Sequence, residues 1–266
     1  MTKECRSYFG FSEPPFTKEI PTSQLMRLPS MEQALTSLQM LIDMRGIGVF
    51  TGKSGIGKSC LLRLLAEDLH PGLYKGVYLC HTSVGVLEFY LHLCHAFGVE
   101  SSSRRAVMFQ RLKERMLHLS REVNTHPVIF VDEAHGLNND ILKEFRLLTN
   151  FDIDSYHAAT IILCGQESLL QKFGLSILEP LANSISVSVS LSSLPAEEVF
   201  SYLQQRLQTC GANSAVFTKQ AMQLIAQASS GILRTVNTIA NSALLSAWRA
   251  NSPQVEREHV QALLTR

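Results

Sequence analysis

The segment GKSGIGKS, residues 52–59, has the residue types and spacing of a phosphate-binding loop. It fits the pattern G-x-x-x-x-G-K-[ST], whose fixed positions are here Gly52, Gly57, Lys58 and Ser59. Glycines let main-chain N–H groups turn inward, and the amino end of a following helix adds partial positive charge. In such a loop the lysine reaches the β and γ phosphates of a nucleotide, and the hydroxyl holds Mg²⁺. The alternative is a glycine-rich turn that binds no ligand.

Main-chain groups within this loop and just after it complete the predicted cradle for ATP and Mg²⁺. They belong to Ser54, Gly55, Ile56 and Cys60. A strand before the loop and a helix after it would hold their N–H groups around the phosphates.

A second candidate site follows the apolar run in PVIFVDEAH, residues 127–135. A buried strand would deliver Asp132 at its carboxyl end, where open α/β sheets bind ligands, and its carboxylate could take Mg²⁺ as Ser59 does. Glu133 is the candidate for orienting the attacking water, because phosphoryl transfer demands positioning and charge neutralisation. A solvated acidic turn is the alternative. The letters DEAH also spell a helicase motif, but the pattern after Gly165 is mainly helical and does not indicate a second sheet domain.

Short apolar runs separated by helical patterns must position these residues. The runs IGVF, GVYLC, PVIFV and ATIILCG predict buried strands over 47–50, 76–80, 127–131 and 159–165. Strands that alternate with helices indicate a parallel sheet covered on both faces. A further strand, 185–191, alternates apolar residues with serines, so one of its faces should be wetter, as at a sheet edge.

The sequence divides into three predicted parts. Residues 1–30 hold four prolines and are expected to be an irregular lead-in. Residues 31–194 form the predicted α/β domain, which opens with an amphipathic helix that ends near Arg45. From residue 195 the pattern is helical, and it predicts a small lid over 195–266 with helices near 195–209, 218–229, 231–250 and 255–265.

Composition indicates a globular protein without a strong overall charge. Of the 266 residues 45% are apolar, and 24 Lys and Arg against 23 Asp and Glu give a net charge of +1. Any surface for nucleic acid must therefore be local. Six well-separated cysteines without CxxC pairs favour reduced thiols in a cytoplasm. No apolar run approaches the ~20 residues of a membrane span, so we expect no membrane contact.

Segments along nearly the whole chain resemble the ExeA/TniB/TnsC branch of the AAA+ ATPases, particularly the ATPases that accompany transposases. These segments are YFGFSEPPF (8–16), RGIGVFTGKSGIGKS (45–59), VIFVDEAH (128–135), EFRLLTNFDIDS (144–155), ILCGQESLL (162–170) and SGILRTVNTIANSALL (230–245). The resemblance implies an α/β P-loop fold of AAA+ type, with five parallel strands in the order 5-1-4-3-2 and a C-terminal helical lid. It also implies that the nucleotide is held between the sheet domain and the lid.

The resemblance implies two further catalytic residues. A polar sensor at the end of the fourth strand would be Gln166, whose amide could contact the γ-phosphate or the water. A lid arginine in the pattern G-x-x-R would be Arg234, through which ATP could close the lid by a charge-assisted contact that ADP lacks. A turn glutamine and a solvated arginine are the alternatives.

One position departs from the family pattern. Where relatives often read LxQRI, this chain reads LANSI over 181–185, so Ser184 replaces an arginine expected to reach a neighbour's nucleotide. A missing arginine of this kind can cost about 10³ in rate or more. Slow hydrolysis, substitution by another arginine such as Arg146, and an arginine supplied by a partner are the open explanations.

A local excess of positive charge lies between Arg104 and Arg121, where six Lys and Arg stand against Glu114 alone. In the transposition type of the family, this region and the loop after the second strand line a central channel. The resemblance therefore implies contacts to the backbone of duplex DNA, without base reading, from Thr82, Ser103, Arg104, Arg105 and Arg111. An ordinary solvated helix face is the alternative.

The leading hypothesis is an ATPase that regulates DNA transposition. It would bind ATP and Mg²⁺, oligomerise on duplex DNA as a ring or helix, and recruit or activate a transposase at target sites. One alternative is a secretion-assembly ATPase like ExeA, although the membrane span and peptidoglycan-binding region typical of those proteins are not visible in these residues. Another is an ATP-binding switch with little hydrolysis, to which Ser184 lends support.

Overall fold

The computed structural model describes residues 1–152, 155–212 and 214–264. Residues 153 and 154, within the family-like segment 144–155, lie outside the described residues. So does the last residue of the helix predicted near 255–265.

The chain forms two compact units. The first unit holds residues 1–32, residues 53–57 and the residues from Ser192 onward, and the second holds residues 33–52 and 58–191. The tip of the phosphate loop, residues 53–57, thus belongs to the same unit as the helical C-terminal region. The domain boundaries after residues 30 and 194 stay a prediction.

A five-stranded parallel sheet lies at the centre of the second unit. Its strands are β1 Ile47–Gly52, β2 Tyr74–Leu79, β3 His126–Val131, β4 Thr160–Gly165 and β5 Ile185–Leu191. Their order is β2-β3-β4-β1-β5, which confirms the predicted order. β1, β3 and β4 are buried along their whole length, as inner strands of a parallel sheet covered on both faces should be.

The register brings the carboxyl ends of the inner strands to one edge of the sheet. Thr51 of β1 lies opposite Gly165 of β4, and Val131 of β3 lies opposite Leu163 of β4. The residues that follow β1, β3 and β4 are therefore neighbours, although they are far apart in sequence.

The edge strand β5 has the predicted alternation. Ser186, Ser188 and Ser190 are exposed, whereas Val187 and Val189 are half-buried. Because successive side chains of a strand point to opposite faces, only one face of β5 adds to the core.

The described residues form twelve α-helices: α1 Lys3–Phe9, α2 Pro29–Met44, α3 Lys58–Asp68, α4 Val86–Phe97, α5 Arg105–Arg121, α6 Asn139–Thr149, α7 Ser168–Phe173, α8 Glu179–Ala182, α9 Ala196–Thr209, α10 Lys219–Ser229, α11 Leu233–Arg249 and α12 Arg257–Leu264. In the second unit, Phe89 of α4, Leu112 of α5 and Phe145 of α6 are buried in the same cluster as the sheet residues Ile129 and Ile161. Among the described residues, no helix combines the length and the apolar character that crossing a membrane requires.

The N-terminal segment contains a helix that the sequence analysis did not predict. The side chain of Thr2 accepts a hydrogen bond from the Cys5 N–H at 3.3 Å and caps the amino end of α1. Gly10, with φ of 72°, ends the helix in the left-handed conformation that glycine adopts readily.

Two buried polar contacts tie this segment into the first unit. Arg206 of α9 is 1% exposed, and its Nε donates to the main-chain oxygen of Pro15 at 2.9 Å. Asn241 of α11 donates through Nδ2 to the main-chain oxygen of Phe16 at 2.7 Å. Both contacts join residues about 200 positions apart, so no local sequence pattern indicates them.

Candidate nucleotide-binding site

The phosphate loop has the backbone that its glycines predict. Gly52 ends β1, Gly55 has φ of 77° and Gly57 has φ of 115°, and α3 begins at Lys58. Only residues without a side chain adopt such angles at little cost, so the loop can turn its N–H groups inward ahead of the helix. Ile56 is 1% exposed and anchors the loop by its apolar side chain.

The loop lysine is buried and bonded to its own loop. Lys58 is 6% exposed, and its Nζ donates to the main-chain oxygen of Gly52 at 2.9 Å. This contact holds the ammonium group beside the loop. Cys60, two residues further along α3, is half-buried, and burial raises the pKa of its thiol, so the group stays uncharged.

Asp132 connects the second motif to the loop. It follows β3 and is 4% exposed. Its Oδ2 accepts a hydrogen bond from Ser59 Oγ at 3.0 Å, and its Oδ1 accepts one from the Glu133 N–H at 2.9 Å. A hydroxyl and a carboxylate side by side are hard oxygen donors of the kind that Mg²⁺ prefers, so the predicted metal-binding pair fits this ion.

Tyr78 of β2 is a site residue that the sequence analysis missed. Its hydroxyl donates to Asp132 Oδ2 at 3.0 Å, on the same oxygen that Ser59 reaches. Burial, followed by the negative charge of Asp132, raises the pKa of Tyr78, so the phenol remains a proton donor. Only the neighbouring position of β2 and β3 reveals this contact, and a lone tyrosine near a strand end gives no signal for it.

The predicted catalytic glutamate lies in a turn stabilised by a second residue that was missed. Glu133 adopts the left-handed conformation with φ of 54°, and its side chain is 53% exposed. His135 Nδ1 lies 3.4 Å from Glu133 Oε2 and accepts a hydrogen bond from the Gln166 N–H at 3.4 Å. The structure thus brings together the residue after β3 and the predicted sensor after β4. The signal for His135 was present as the last letter of VIFVDEAH.

Arg234 lies at the tip of the phosphate loop. It is the second residue of α11, and its N–H donates to the Gly55 oxygen at 2.9 Å. Its guanidinium donates through Nη1 to Ser54 Oγ at 3.2 Å. A Cβ at Gly55 would lie 2.7 Å from Arg234 Cβ, so this approach requires glycine. All three residues belong to the first unit.

Ser184, at the position where the family pattern has arginine, is bonded to an arginine instead. Arg146 of α6 donates through Nε to Ser184 Oγ at 3.2 Å, and Ser184 Oγ donates to the Pro180 oxygen at 2.7 Å. This contact places the Arg146 guanidinium beside Ser184, and the three explanations for Ser184 stay open. A catalytic role of Arg146 stays a prediction.

The residues predicted to contact DNA have unequal surroundings. Arg105 pairs with Glu144 at 2.9 Å, and Arg111 pairs with Glu100 at 3.0 Å. These carboxylates lie outside the helix, so a charge count over the helix alone does not include them. Arg104 is exposed and keeps its place as a candidate.

The remaining two candidates are a serine and a threonine. Ser103 is exposed, and the neighbouring Ser102 Oγ accepts the Arg104 N–H at 3.2 Å. Thr82 is half-buried beside the turn after β3, where a Cβ at Gly136 would lie 2.7 Å from Thr82 Oγ1. DNA contacts at all five residues stay predictions.

Comparison with protein families agrees with this geometry. Residues 42–173 match the family described as "AAA domain", a range that contains the whole phosphate loop, Asp132 and Gln166. Residues 42–173 thus form an AAA-type P-loop ATPase domain. The narrower resemblance to transposition helpers is not decided by this match and stays a prediction.

The ATPase is similar to one curated protein over most of its length. It shares 29% identity over 251 residues with general secretion pathway protein A of Aeromonas hydrophila. The match covers 93% of this chain and 46% of that protein, so the chain spans about half the length of this relative.

Two solved structures have the same fold. One is the ORC2 protein of Aeropyrum pernix in ADPNP and ADP complexes, with a TM-score of 0.70 and 16% identity over 96% of this chain and 72% of that chain. The other is the ORC1 protein of the same organism in complex with DNA, with a TM-score of 0.67 and 17% identity over 94% of this chain and 68% of that chain. At such identities the likeness concerns the fold alone.

Proposed function

We propose that the ATPase binds ATP and Mg²⁺ at residues 52–59 and uses Glu133 to orient the attacking water. The observation that carries this proposal is the 3.0 Å contact between Ser59 Oγ and Asp132 Oδ2. It joins two motifs that are 73 residues apart and that were each assigned to the same ion from sequence.

The side chains around this contact have separable roles in the proposal. Bound Mg²⁺ would neutralise phosphate charge and orient phosphate oxygens. Ser59 and Asp132 would hold that ion, while Lys58 would exchange its bond to the Gly52 oxygen for the β and γ phosphates. Gln166 would contact the γ-phosphate or the water.

Arg234 extends the proposed site at the loop tip. Its guanidinium already lies at the phosphate loop through Ser54, and it would donate charge-assisted hydrogen bonds to the γ-phosphate. Such a contact would be made with ATP and lost with ADP, which makes the protein a nucleotide-controlled switch.

The finer proposal is that the ATP-bound form assembles on duplex DNA in the cytoplasm and recruits or activates a transposase. The six family-like segments support it, and so does the DNA complex of the similar ORC1 protein. Thr82, Ser103 and Arg104 would contact the DNA backbone. Because Arg105 and Arg111 are paired with carboxylates, we expect their contribution to be smaller.

Binding of the protein to duplex DNA of several sequences, with a non-hydrolysable ATP analogue and with ADP, tests this proposal. We expect ATP-dependent oligomers on DNA, seen by electron microscopy, and an affinity that falls with salt. Arg104→Ala should weaken binding equally for all sequences. Arg249→Ala, which removes an exposed arginine from α11 in the first unit, is the matched control. Monomers under every condition would contradict the oligomer proposal.

A second candidate function is secretion assembly, which the match to general secretion pathway protein A favours. In that case ATP turnover should be insensitive to duplex DNA, and the protein should associate with components of the cell envelope. The ATPase rate with and without DNA separates the candidates. DNA-stimulated turnover supports the transposition role, DNA binding with little turnover supports a binding switch, and the absence of both favours secretion.

A further inference from the structure

His135 has no part in the proposed chemistry, yet it lies between two residues that do. It is the third residue after Asp132, in the short 3-10 turn Ala134–Gly136, and it is only partly exposed, at 22% of its side chain. Its Nδ1 is 3.4 Å from the carboxylate of Glu133 and 3.4 Å from the main-chain nitrogen of Gln166.

These two neighbours require opposite protonation states of the same nitrogen atom, Nδ1. The Gln166 N–H needs a lone pair on Nδ1, whereas the Glu133 carboxylate needs a proton there. Both distances exceed the usual length of a hydrogen bond, about 2.9 Å, so neither contact is fully made. The two contacts therefore require different tautomers of the neutral ring, with its proton on Nδ1 for Glu133 and on Nε2 for the Gln166 N–H.

The main chain of His135 lies directly against the end of β4. A Cβ at Gly165, the last residue of β4, would lie 3.1 Å from the main-chain nitrogen of His135 and 3.4 Å from its Cβ. The turn after β3 therefore lies directly against the end of β4, and the absence of a side chain at Gly165 permits this. The backbone of this turn therefore keeps His135 near the end of β4.

We propose that His135 is a positioning residue that couples the Glu133 carboxylate to the main chain at Gln166. When the ring proton is on Nδ1, it is donated to Glu133 and holds the carboxylate in one orientation. When that proton moves through solvent to Nε2, Nδ1 accepts the Gln166 N–H and the carboxylate is released towards the water. A displacement at the end of β4 is thereby converted into a change of the glutamate's position. This inference rests on the proposed role of Glu133 in orienting water.

Without His135, the half-exposed carboxylate of Glu133 would sample several side-chain rotamers. Because small misplacements of a catalytic group cost one or two orders of magnitude, His135→Ala should lower kcat about tenfold or more. ATP binding should be unaffected, because the phosphate loop and the Ser59 to Asp132 contact do not involve the histidine.

His135→Asn is the conservative variant. The terminal atoms of asparagine lie near the position of Nδ1 and offer one donor and one acceptor, so this change should recover most of the lost kcat. His157→Asn is the matched control, because His157 is an exposed histidine of the same unit. Single-turnover hydrolysis and the dissociation constant for ATP are measured for each variant, and thermal unfolding checks that each one folds.

A double-variant experiment separates positioning from a structural role. If His135 acts through Glu133, then His135→Ala should have no further effect on hydrolysis in a Glu133→Gln background, because the two effects are not additive. Equal additional loss in that background would overturn the inference. So would an unchanged kcat in both His135→Ala and His135→Asn, or a weaker ATP affinity that accounts for the whole loss.

The same set distinguishes failure of the inference from failure of the proposed function. Normal turnover in Glu133→Gln alone would remove the proposed role of Glu133 and the inference with it. An inactive Glu133→Gln together with a fully active His135→Ala would overturn the inference alone.

Discussion

The phosphate loop and helix α5 both present positive charge suited to phosphates, but the chain builds them differently. In the loop, the backbone places the amides and Lys58, whose Nζ bonds the Gly52 oxygen of the same loop. In α5, Arg105 and Arg111 are paired with Glu144 and Glu100, which lie outside the helix. A site that depends on backbone geometry can thus be inferred from residue spacing. The charge that a helix presents cannot, because its basic residues form ion pairs with distant carboxylates only when the chain folds.

Of these changes, Lys58→Ala in the phosphate loop should have the largest effect on ATP binding and turnover. Without the ammonium group the β and γ phosphates lose their nearest protein charge, so we expect ATP turnover to fall about 10²-fold or more. Initial rates of phosphate release and the affinity for a fluorescent ATP analogue measure this. Lys53→Ala, at an exposed position of the same loop, is the control. Unchanged binding and turnover in Lys58→Ala would remove the nucleotide site from this loop.

Gly55→Ala should show how far the loop depends on backbone conformation. The added methyl group must occupy a residue with φ of 77° and would lie 2.7 Å from Arg234 Cβ. Strain of this kind costs on the order of 1–3 kcal/mol, so we expect about tenfold weaker ATP binding or more. Gly72→Ala, outside the loop and with no positive φ, is the control. Equal ATP affinity in the two variants would show that the loop tolerates the change.

Arg105→Ala and Arg104→Ala should separate an arginine that stabilises the fold from a candidate DNA contact. Glu144 is 5% exposed and accepts hydrogen bonds from Arg105 and from the Tyr90 hydroxyl, at 2.6 Å for the latter. Loss of Arg105 leaves this buried carboxylate short of a partner. We expect the free energy of unfolding to fall by about 1–2 kcal/mol, reduced because the arginine itself is half-exposed.

The two arginines should differ in what they affect. Arg104→Ala should leave the unfolding midpoint unchanged and weaken DNA binding, whereas Arg105→Ala should mainly lower the midpoint. Chemical denaturation and a DNA titration at fixed salt check both variants. The comparison fails if Arg105→Ala weakens DNA binding more than Arg104→Ala without a change in stability.

Tyr78→Phe should give the smallest effect. The phenol donates to Asp132 Oδ2, and its raised pKa keeps the proton on the oxygen at any pH suited to the enzyme. A single hydrogen bond of this type contributes about 1 kcal/mol, so the Mg²⁺ concentration for half-maximal turnover should rise about fivefold. A magnesium titration of the ATPase rate measures this. A Mg²⁺ requirement equal to that of the parent protein would show that Ser59 orients Asp132 alone.

The sequence predicted the parts of the molecule that local pattern determines. The phosphate loop, the strand before Asp132 and the alternation in β5 follow from spacing and from the period of apolar residues. The strand order came from the family resemblance, because local pattern does not specify which strands are neighbours.

The features that were missed depend on contacts between distant residues. Tyr78 reaches Asp132 only because β2 and β3 pair, and Glu144 meets Arg105 across 39 positions of sequence. Helix α1 was missed for another reason, since the prolines that follow it made the whole segment look irregular.

The close approach of Gly136 to Thr82 has a mechanical consequence. A Cβ at Gly136 would lie 2.7 Å from the threonine hydroxyl, so the segment after β2 cannot move towards the turn after β3 without contact. A molecule that binds at Thr82 and displaces it towards Gly136 would also displace the turn that contains His135, next to Glu133.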